Sequence, residues 1–515
     1  MASTEAGPGP ATKAFAFDNT YAAELDGFYV PWQGEPAPKP ELVQLNRALA
    51  AELGLDPDAL DSDEGAAIFA GSLAPEGSTP LAQADAGHQF GGFVPQLGDG
   101  RALLIGEIID RRGRRRDVHL KGSGRTPFSR GGDGKAVLGP VLREYLVGEA
   151  MHALGIPSTR ALAAVTTGER IMRRGPEPEP GAVLARVASS HLRVGTFEFF
   201  AARGETERLA QLVDYALRRH DPDKVDAEEP AMELLRAVRD RQASLVAQWM
   251  SVGFVHGVMN TDNTTISGET LDYGPCAFLD GYDPAAVFSS IDRQGRYAYA
   301  NQPVIAQWNV ARLAEALVPL FDQDQPEALV ERLNTEVGAF SRRYELHFLE
   351  RMKSKLGLGR SDEGDAKLIE DLLSILQVGR VDFTGFFRGL GDELRAGAGS
   401  REVDRAAHQP VDPWTEFAAV EGAQDWLGRW IDRVEHEGRD PDVVARGMDR
   451  VNPVYIPRNH NVEAALEAAW KESDYGPFRR LLGALERPFD RRPGLEDLEG
   501  PAPDTFGPYV TFCGT

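Results

Sequence analysis

"HGVMNTDNTTISGETLDYGP", residues 256–275, brings together a His256-Gly257 pair, an Asp262-Asn263 pair and an Asp272-Tyr273-Gly274 triplet. Carboxylate and carboxamide oxygens at this density suit a hard divalent cation, which takes oxygen ligands and completes its shell with phosphate oxygens and water. Asp-Asn after Asn-Thr is also ordinary turn chemistry. The residues around the stretch decide between the two.

A protein-kinase catalytic loop runs His-x-Asp-x-x-x-x-Asn; its Asp accepts the proton of the substrate hydroxyl and its Asn holds magnesium. Counted from His256, the Asn position is Asn263, and Asp272 follows nine residues on, where a kinase carries the metal-binding Asp of Asp-Phe-Gly. The position of the base holds Val258. Metal ligands without that base describe either a dead kinase or an enzyme whose reacting phosphate sits elsewhere. Asp262 is the nearest free carboxylate.

Upstream, "RALLIGEII" and "DVHLKG" flank Arg111-Arg112-Gly113-Arg114-Arg115-Arg116 and read as a hairpin with a solvated basic tip. Val118 and Leu120 alternate with His119 and Lys121 like a half-buried strand. Lys121 ends that strand, and Glu144 lies 23 residues on in the helical run 138–154, the order of a kinase's phosphate-orienting lysine and its helix glutamate. Any strand lysine followed by a helix glutamate would look the same. Between them, Asp133 and Gly134 come within reach of a nucleotide. "GSGRTPFSRGGDGKA" fails as a P-loop, because Ala136 follows Gly134-Lys135 and Ser129 stands at the first glycine. In "HQFGGFVPQLGDGRALLIGE", Gly98, Gly100 and Arg101 suit either a plain hairpin turn or a backbone approach to phosphates. Arg186 and Arg193, seven apart in "LARVASSHLRVGTFEFF", span two helical turns or one long bend. They are either surface arginines or paired forks for phosphate oxygens.

A chain of 515 residues, 42% hydrophobic, buries a sizeable core, and its formal charge of −23 repels nucleic acid and anionic membrane surfaces. Two cysteines make no disulfide framework, and no stretch has the length of a signal peptide core or a membrane span. A cytoplasmic protein with no nucleic-acid or membrane partner is expected. Residues 1–13 are expected to be unstructured, 14–79 to form an N-terminal extension with "PELVQLNRALAAELGLD" helical, 80–200 to be strand-rich, 201–450 helical, and 451–515 a C-terminal extension whose apolar end docks. Helices are expected at "TERLAQLVDYALRRH", "AMELLRAVRDRQASLVAQWMSVGF", "VIAQWNVARLAEALVPLF" and "DAKLIEDLLSIL".

"HQFGGFVPQLGDGRA", "LKGSGRTPFSRGGDGKAVLGPVLREYLVGEAMHALGIP", "RVASSHLRVGTFEFF", the opening stretch and "NPVYIPRNHNVEAAL" together resemble the selenoprotein O family, in the same order and over nearly the whole chain. The resemblance implies an α+β, bilobal protein-kinase-like fold that holds its nucleotide reversed and transfers AMP from ATP, or UMP from UTP, to Ser, Thr or Tyr hydroxyls of protein substrates. It implies nucleotide contacts from Gly98, Gly100, Arg101, Lys121, Asp133 and Gly134, with Glu144 as partner of the lysine. Arg186 and Arg193 would hold the turned-round phosphate tail, Asp262 would be the base, and Asn263 and Asp272 would hold Mg²⁺ or Mn²⁺. Ordinary Cys513 stands where the family's name suggests selenocysteine, and family precedent makes Cys276 its candidate redox partner. The rival readings are a catalytically dead nucleotide-binding regulator and a phosphotransferase for small alcohols.

Overall fold

The hairpin expected around the arginine tip is the middle of the main sheet. The computed structural model describes residues 9–173, 175–396 and 413–512. Among them the strands, in chain order, are β1 (Tyr29–Pro31), β2 (Glu41–Leu45), β3 (Leu81–Gln83), β4 (Gly87–Gln89), β5 (Gly92–Val94), β6 (Ala102–Ile109), β7 (Arg115–Lys121), β8 (Ala136–Val137), β9 (Arg160–Ile171), β10 (Glu179–Ala188), β11 (Phe254–Val255) and β12 (Ala277–Phe278). Eight of them form an antiparallel sheet in the order β1-β3-β6-β7-β10-β9-β2, with β8 on β10. A largely helical region follows, so the fold is mixed α+β.

Two expectations need correction. The segment read as one helix over "PELVQLNRALAAELGLD" is a strand at Glu41–Leu45 and helical only at Arg47–Glu52. Val43 and Leu45 alternate inward, and the ladder that β2 makes along β9 gives this backbone partners that a helix would forgo. Asn46 then accepts from the Leu49 N–H and starts the helix. The second concerns β7, which is buried on both faces: His119 and Lys121 are as enclosed as Val118 and Leu120. Their polar atoms are satisfied by partners inside the protein, described below.

One face of the sheet presents Leu103, Ile105, Val118, Leu120, Val183 and Val187 to a core shared with Leu49 and Phe69. Against the other packs helix Leu138–Ala153, whose Val141, Leu142, Tyr145 and Leu146 recur at helical spacing. Behind that helix lie Asn459–Glu472 and Gly476–Leu485. The expected helices form at Thr206–His220, Pro230–Ser251, Gln302–Leu317 and Asp365–Gly379, and a further one runs from Pro326 to Lys355. Trp249, Phe254, Leu313, Phe386, Trp426 and Trp430 belong to their common core.

The basic tip is largely spent on carboxylates: Arg114 pairs with Glu52 and Asp110, Arg115 with Asp18, and Arg116 with Asp110 and Glu269. Most of the tail expected to be unstructured, residues 1–8, lies outside the described residues. Ala11–Lys13 forms a tight turn with Ala11 buried, its N–H donating to Glu64 at 2.6 Å. At the other end the Thr511 N–H donates to the Phe288 carbonyl at 2.7 Å, so the tail docks as far as it is described. Among the described residues no helix is long and apolar enough to cross a membrane.

Candidate active site

The two-stranded ribbon of β11 and β12 brackets the 256–276 loop and fixes both of its ends. Gly257, at φ 82°, lies so close to the far end that a Cβ there would sit 2.2 Å from the Pro275 carbonyl oxygen. Only glycine fits. From behind, Asn309 donates to the Met259 carbonyl and to Thr264, and Gln242 to the Thr265 carbonyl. His256 is buried, which pushes its pKa down to about 4, and its Nδ1 accepts from the Val258 N–H. It is a neutral brace for the loop rather than an acid or base.

Lys121 bridges two carboxylates: its Nζ lies 2.5 Å from Glu144 Oε2 and 2.6 Å from Asp272 Oδ2. Burial alone would push Asp272 up, but Lys121, Arg101 and Arg186 outweigh it and hold the group far below the usual carboxylate range. Asp272 is therefore fully ionised at neutral pH, and its Oδ1 also accepts from the Gly274 N–H at 2.8 Å.

Arg186 lies on β10 and Arg193 caps helix Val194–Ala201, so the seven-residue separation is a bend and not two helical turns. Both are buried, and apart from Glu144, which accepts from Arg186 at 3.4 Å, they are held by groups that the sequence did not single out. Arg186 Nη1 donates to the Leu271 carbonyl at 3.1 Å, and its Nε donates to His119 Nδ1 at 3.2 Å. The imidazole must therefore carry its proton on Nε2, which donates to Asp99 Oδ2 at 3.1 Å. Burial pushes His119 down to about 4, keeping it neutral. Arg193 forks onto Asp85 at 2.8 Å and Asp99 at 3.0 Å, and Thr196 donates to the other Asp85 oxygen. Asp85 is pushed up to about 7 by burial, against the pull of Arg193. For Asp99, His119 and Arg193 together overcome burial and hold it well below its usual value. The register offered a partial signal: Arg186 pairs with His119 and Leu184 with Lys121, so the two cations share one sheet face. Asp85 and Asp99 were invisible as partners because β3 and the turns around it meet Arg193 only in three dimensions.

Asp262 and Asn263 sit in a single 3-10 turn, Thr261–Asn263. The Asn263 amide nitrogen donates to the Val258 carbonyl at 3.2 Å, leaving its oxygen as the atom suited to a cation. Asp262 Oδ2 accepts from the Gln89 amide at 3.2 Å, while Oδ1 has no hydrogen-bond partner among the described residues. Burial raises this carboxyl to about 6, with Arg193 opposing. The β4–β5 hairpin clasps the turn at two more points, His88 N–H to Thr261 Oγ1 at 2.6 Å and Phe90 N–H to Asn260 at 3.2 Å, and Glu198 of helix Val194–Ala201 accepts from Thr261 Oγ1 at 2.5 Å while it meets His88 Nδ1.

A cleft of about 410 Å³ collects these groups. Gly98, Gly100, Arg101, Lys121, Asp133 and Gly134 line it, as do Arg186, Arg193, Asp262, Asn263 and Asp272. Glu144 stands behind Lys121. A Cβ on Gly98 would meet the Phe128 ring at 2.6 Å, and one on Gly134 would lie 2.0 Å from the Gly124 carbonyl oxygen; both glycines have positive φ. Asp133, at the rim, is clamped by both Arg173 Nη atoms. No group of three or more His, Cys, Asp or Glu forms a self-contained metal site among the described residues. One ionised carboxylate and one free carboxamide oxygen on a common cleft wall fit a hard cation that brings phosphate and water for its other ligands. Cys276 is buried beneath this wall, its thiol pushed up to about 12 by burial, and Cys513 lies outside the described residues.

Comparison with known proteins finds relatives over almost the full length of the chain. Residues 12–486 match the family model described as "Protein adenylyltransferase SelO". The chain is 60% identical to the protein nucleotidyltransferase YdiU of Cereibacter sphaeroides (strain ATCC 17025 / ATH 2.4.3) over 97% of its own length and 100% of that protein. It is 53% identical to the YdiU proteins of Rhizobium etli (strain CIAT 652), covering 98% of each chain, and of Rhodopseudomonas palustris (strain BisB5), covering 98% of this chain and 100% of that one. The chain belongs to the SelO family of protein adenylyltransferases.

Proposed function

We propose that the chain transfers AMP from ATP to Ser, Thr or Tyr hydroxyls of proteins and releases pyrophosphate, on a bilobal protein-kinase-like fold. Residues 80–200 would be its nucleotide-binding lobe and 201–450 its helical lobe, with 14–79 and 451–515 packed around them. Membership of an adenylyltransferase family supports ATP as the co-substrate. The observation that carries the residue-level reading is the exchange of positions in the 256–263 turn. Val258 occupies the place of a kinase's base, while Asp262, with one oxygen unpartnered and a pKa near neutrality, faces the same cleft as two buried arginines.

In this reading Arg186 and Arg193 hold the terminal phosphates of a reversed nucleotide, and Lys121 neutralises phosphate charge nearer the mouth. The backbone at Gly98, Gly100 and Gly134 admits the nucleotide closely. Asn263 and Asp272 would hold Mg²⁺ or Mn²⁺, which supplies Lewis-acid charge to the phosphate oxygens. Asp262 takes the proton as the substrate hydroxyl oxygen attacks the α-phosphorus. The new O–P bond forms as the bond from that phosphorus to the bridging oxygen breaks, and the electron pair leaves with pyrophosphate. Cations fixed in advance where charge accumulates lower such a barrier, and losing one donor typically costs about 10²–10³ in rate.

Parallel reactions with ATP labelled at the α- or the γ-phosphate test the reading. Label entering protein only from the α position is expected. Label entering only from the γ position would mark a kinase, and none from either a nucleotide-binding regulator. A redox link from Cys276 to Cys513 belongs to the same reading. A non-reducing mass map of the oxidised protein with both thiols free would remove it.

A further inference from the structure

The β4–β5 hairpin does more than clasp the catalytic turn. Its outer side leaves aromatic surface in water: Phe90 at 39% and Phe93 at 41% exposure, with Ile291 at 40% across the mouth. These are not scattered side chains. Phe90 packs on Tyr297 at 5.1 Å between centroids, Phe93 on His88 at 5.0 Å, and His88 stands edge-on to Trp308 at 5.2 Å. Gln89 and Phe90, at the hairpin tip, line the cleft that holds Asp262. An apolar side chain seated on Phe90 would thus lie beside the cleft that holds the carboxylate, next to the Gln89 amide that donates to it.

The same ledge is basic, in a protein whose formal charge is −23. The Trp308 indole has a guanidinium over it from Arg296 at 4.8 Å and another from Arg312 at 4.7 Å. Arg312, half-buried, pairs with the exposed Glu315. Arg296 and the exposed Arg293 have no carboxylate partner among the described residues. Asp292, next to Arg293 in the chain, is buried and spends its two oxygens on the Arg296 and Tyr297 N–H groups. Exposed aromatic rings at a catalytic mouth are costly to solubility, and the Arg296 guanidinium stacked on Trp308 leaves charge beside them that no carboxylate among the described residues takes up. They complement an anionic, partly apolar ligand.

We propose that this ledge is the docking site for the acceptor protein, and that it selects an acidic segment whose target hydroxyl neighbours an aromatic or large aliphatic residue. The apolar neighbour lies against Phe90 and Phe93, and the acidic side chains meet Arg296, Arg293 and Arg312. The inference rests on the proposed transfer to protein hydroxyls for its biological meaning. Its test is a binding measurement independent of that chemistry.

The probe is a short fluorescein-labelled peptide with a central Tyr next to Phe, flanked by Asp and Glu, compared with a twin carrying Lys at every acidic position. Anisotropy is read on the whole protein with a non-hydrolysable ATP analogue bound. The acidic peptide is expected to bind about tenfold or more tightly than its twin at low salt, with the gap closing as salt is raised. Arg296→Glu should abolish or reverse the preference while leaving affinity for the ATP analogue unchanged, which also reports that the variant is folded. Arg293→Glu, at an exposed position, should give a smaller loss in the same direction. Equal binding of the two peptides, or an unchanged preference in Arg296→Glu, overturns the proposal. A dimer in sedimentation that dissociates in Arg296→Glu would make the face a self-interface and overturn it as well. Intact peptide preference without transfer of α-label would count against the transfer reaction and leave the docking site standing.

Discussion

Arg186 Nε donates to His119 Nδ1 at 3.2 Å between two buried side chains, and that bond fixes the tautomer of an imidazole that is neutral throughout the physiological range. His119 in turn donates to Asp99, which also holds Arg193. One histidine therefore sets the aim of both arginines.

His119→Leu should weaken ATP binding by about 10–100-fold, because hydrogen bonds to charged groups carry about 1.5–3 kcal/mol and two are removed from a buried network. Titration calorimetry with ATP measures it. His119→Gln, whose amide can accept from one side and donate to the other, should recover much of the loss.

Asp262→Asn should lower AMP transfer by at least about 10², the low end for removing a general base, with ATP affinity little changed. The wild-type rate should rise with pH through about 6 and level off above it, since the group is protonated and inactive below that value. A profile of kcat against pH that is flat from 5 to 8 would remove Asp262 from the role.

Lys121→Met would leave Glu144 and Asp272 facing one another without their shared cation. Breaking a buried ion pair from one side costs about 3–5 kcal/mol, and Arg186, beside both acids, keeps the expected loss near the lower end. Urea unfolding gives the number. Glu144→Gln should cost less, because the lysine keeps Asp272.

Lys355 offers a separate check, away from the cleft. It is buried with no carboxylate partner among the described residues; its Nζ lies 4.3 Å from the centroid of the Phe387 ring, and burial lowers its pKa to about 7. Between about pH 7 and the usual lysine value the unfolded chain binds a proton that the folded chain does not, so this residue makes stability rise with pH across that window. Lys355→Met should be more stable than the wild type at pH 7, by thermal unfolding, and the gap should narrow toward pH 9.

Local chemistry was legible wherever it is written along the chain. His256 to Asp272 is a contiguous pattern, and Lys121 and Glu144 lie on two neighbouring elements with clear periodicity. The partners of Arg193 were not legible, because Asp85 and Asp99 come from turns near β3 whose residues carry no spacing that relates them to the arginine. The strand at Glu41–Leu45 was misread because five residues satisfy both periodicities, and only β9, some 120 residues away, breaks the tie. The docking ledge was hidden for the same reason. Phe90, Ile291 and Trp308 are over 200 positions apart at the extremes and become neighbours only when the hairpin folds onto the catalytic turn.

Helix Leu138–Ala153, which carries Glu144, has the sheet on one side and helices Asn459–Glu472 and Gly476–Leu485 on the other. A nascent chain that has left the ribosome only as far as Asp272 already owns each cleft residue named above, yet lacks the layer that backs the glutamate. The two layers that enclose this helix are thus supplied from opposite ends of the polypeptide, the sheet before residue 190 and its cover at 459–485.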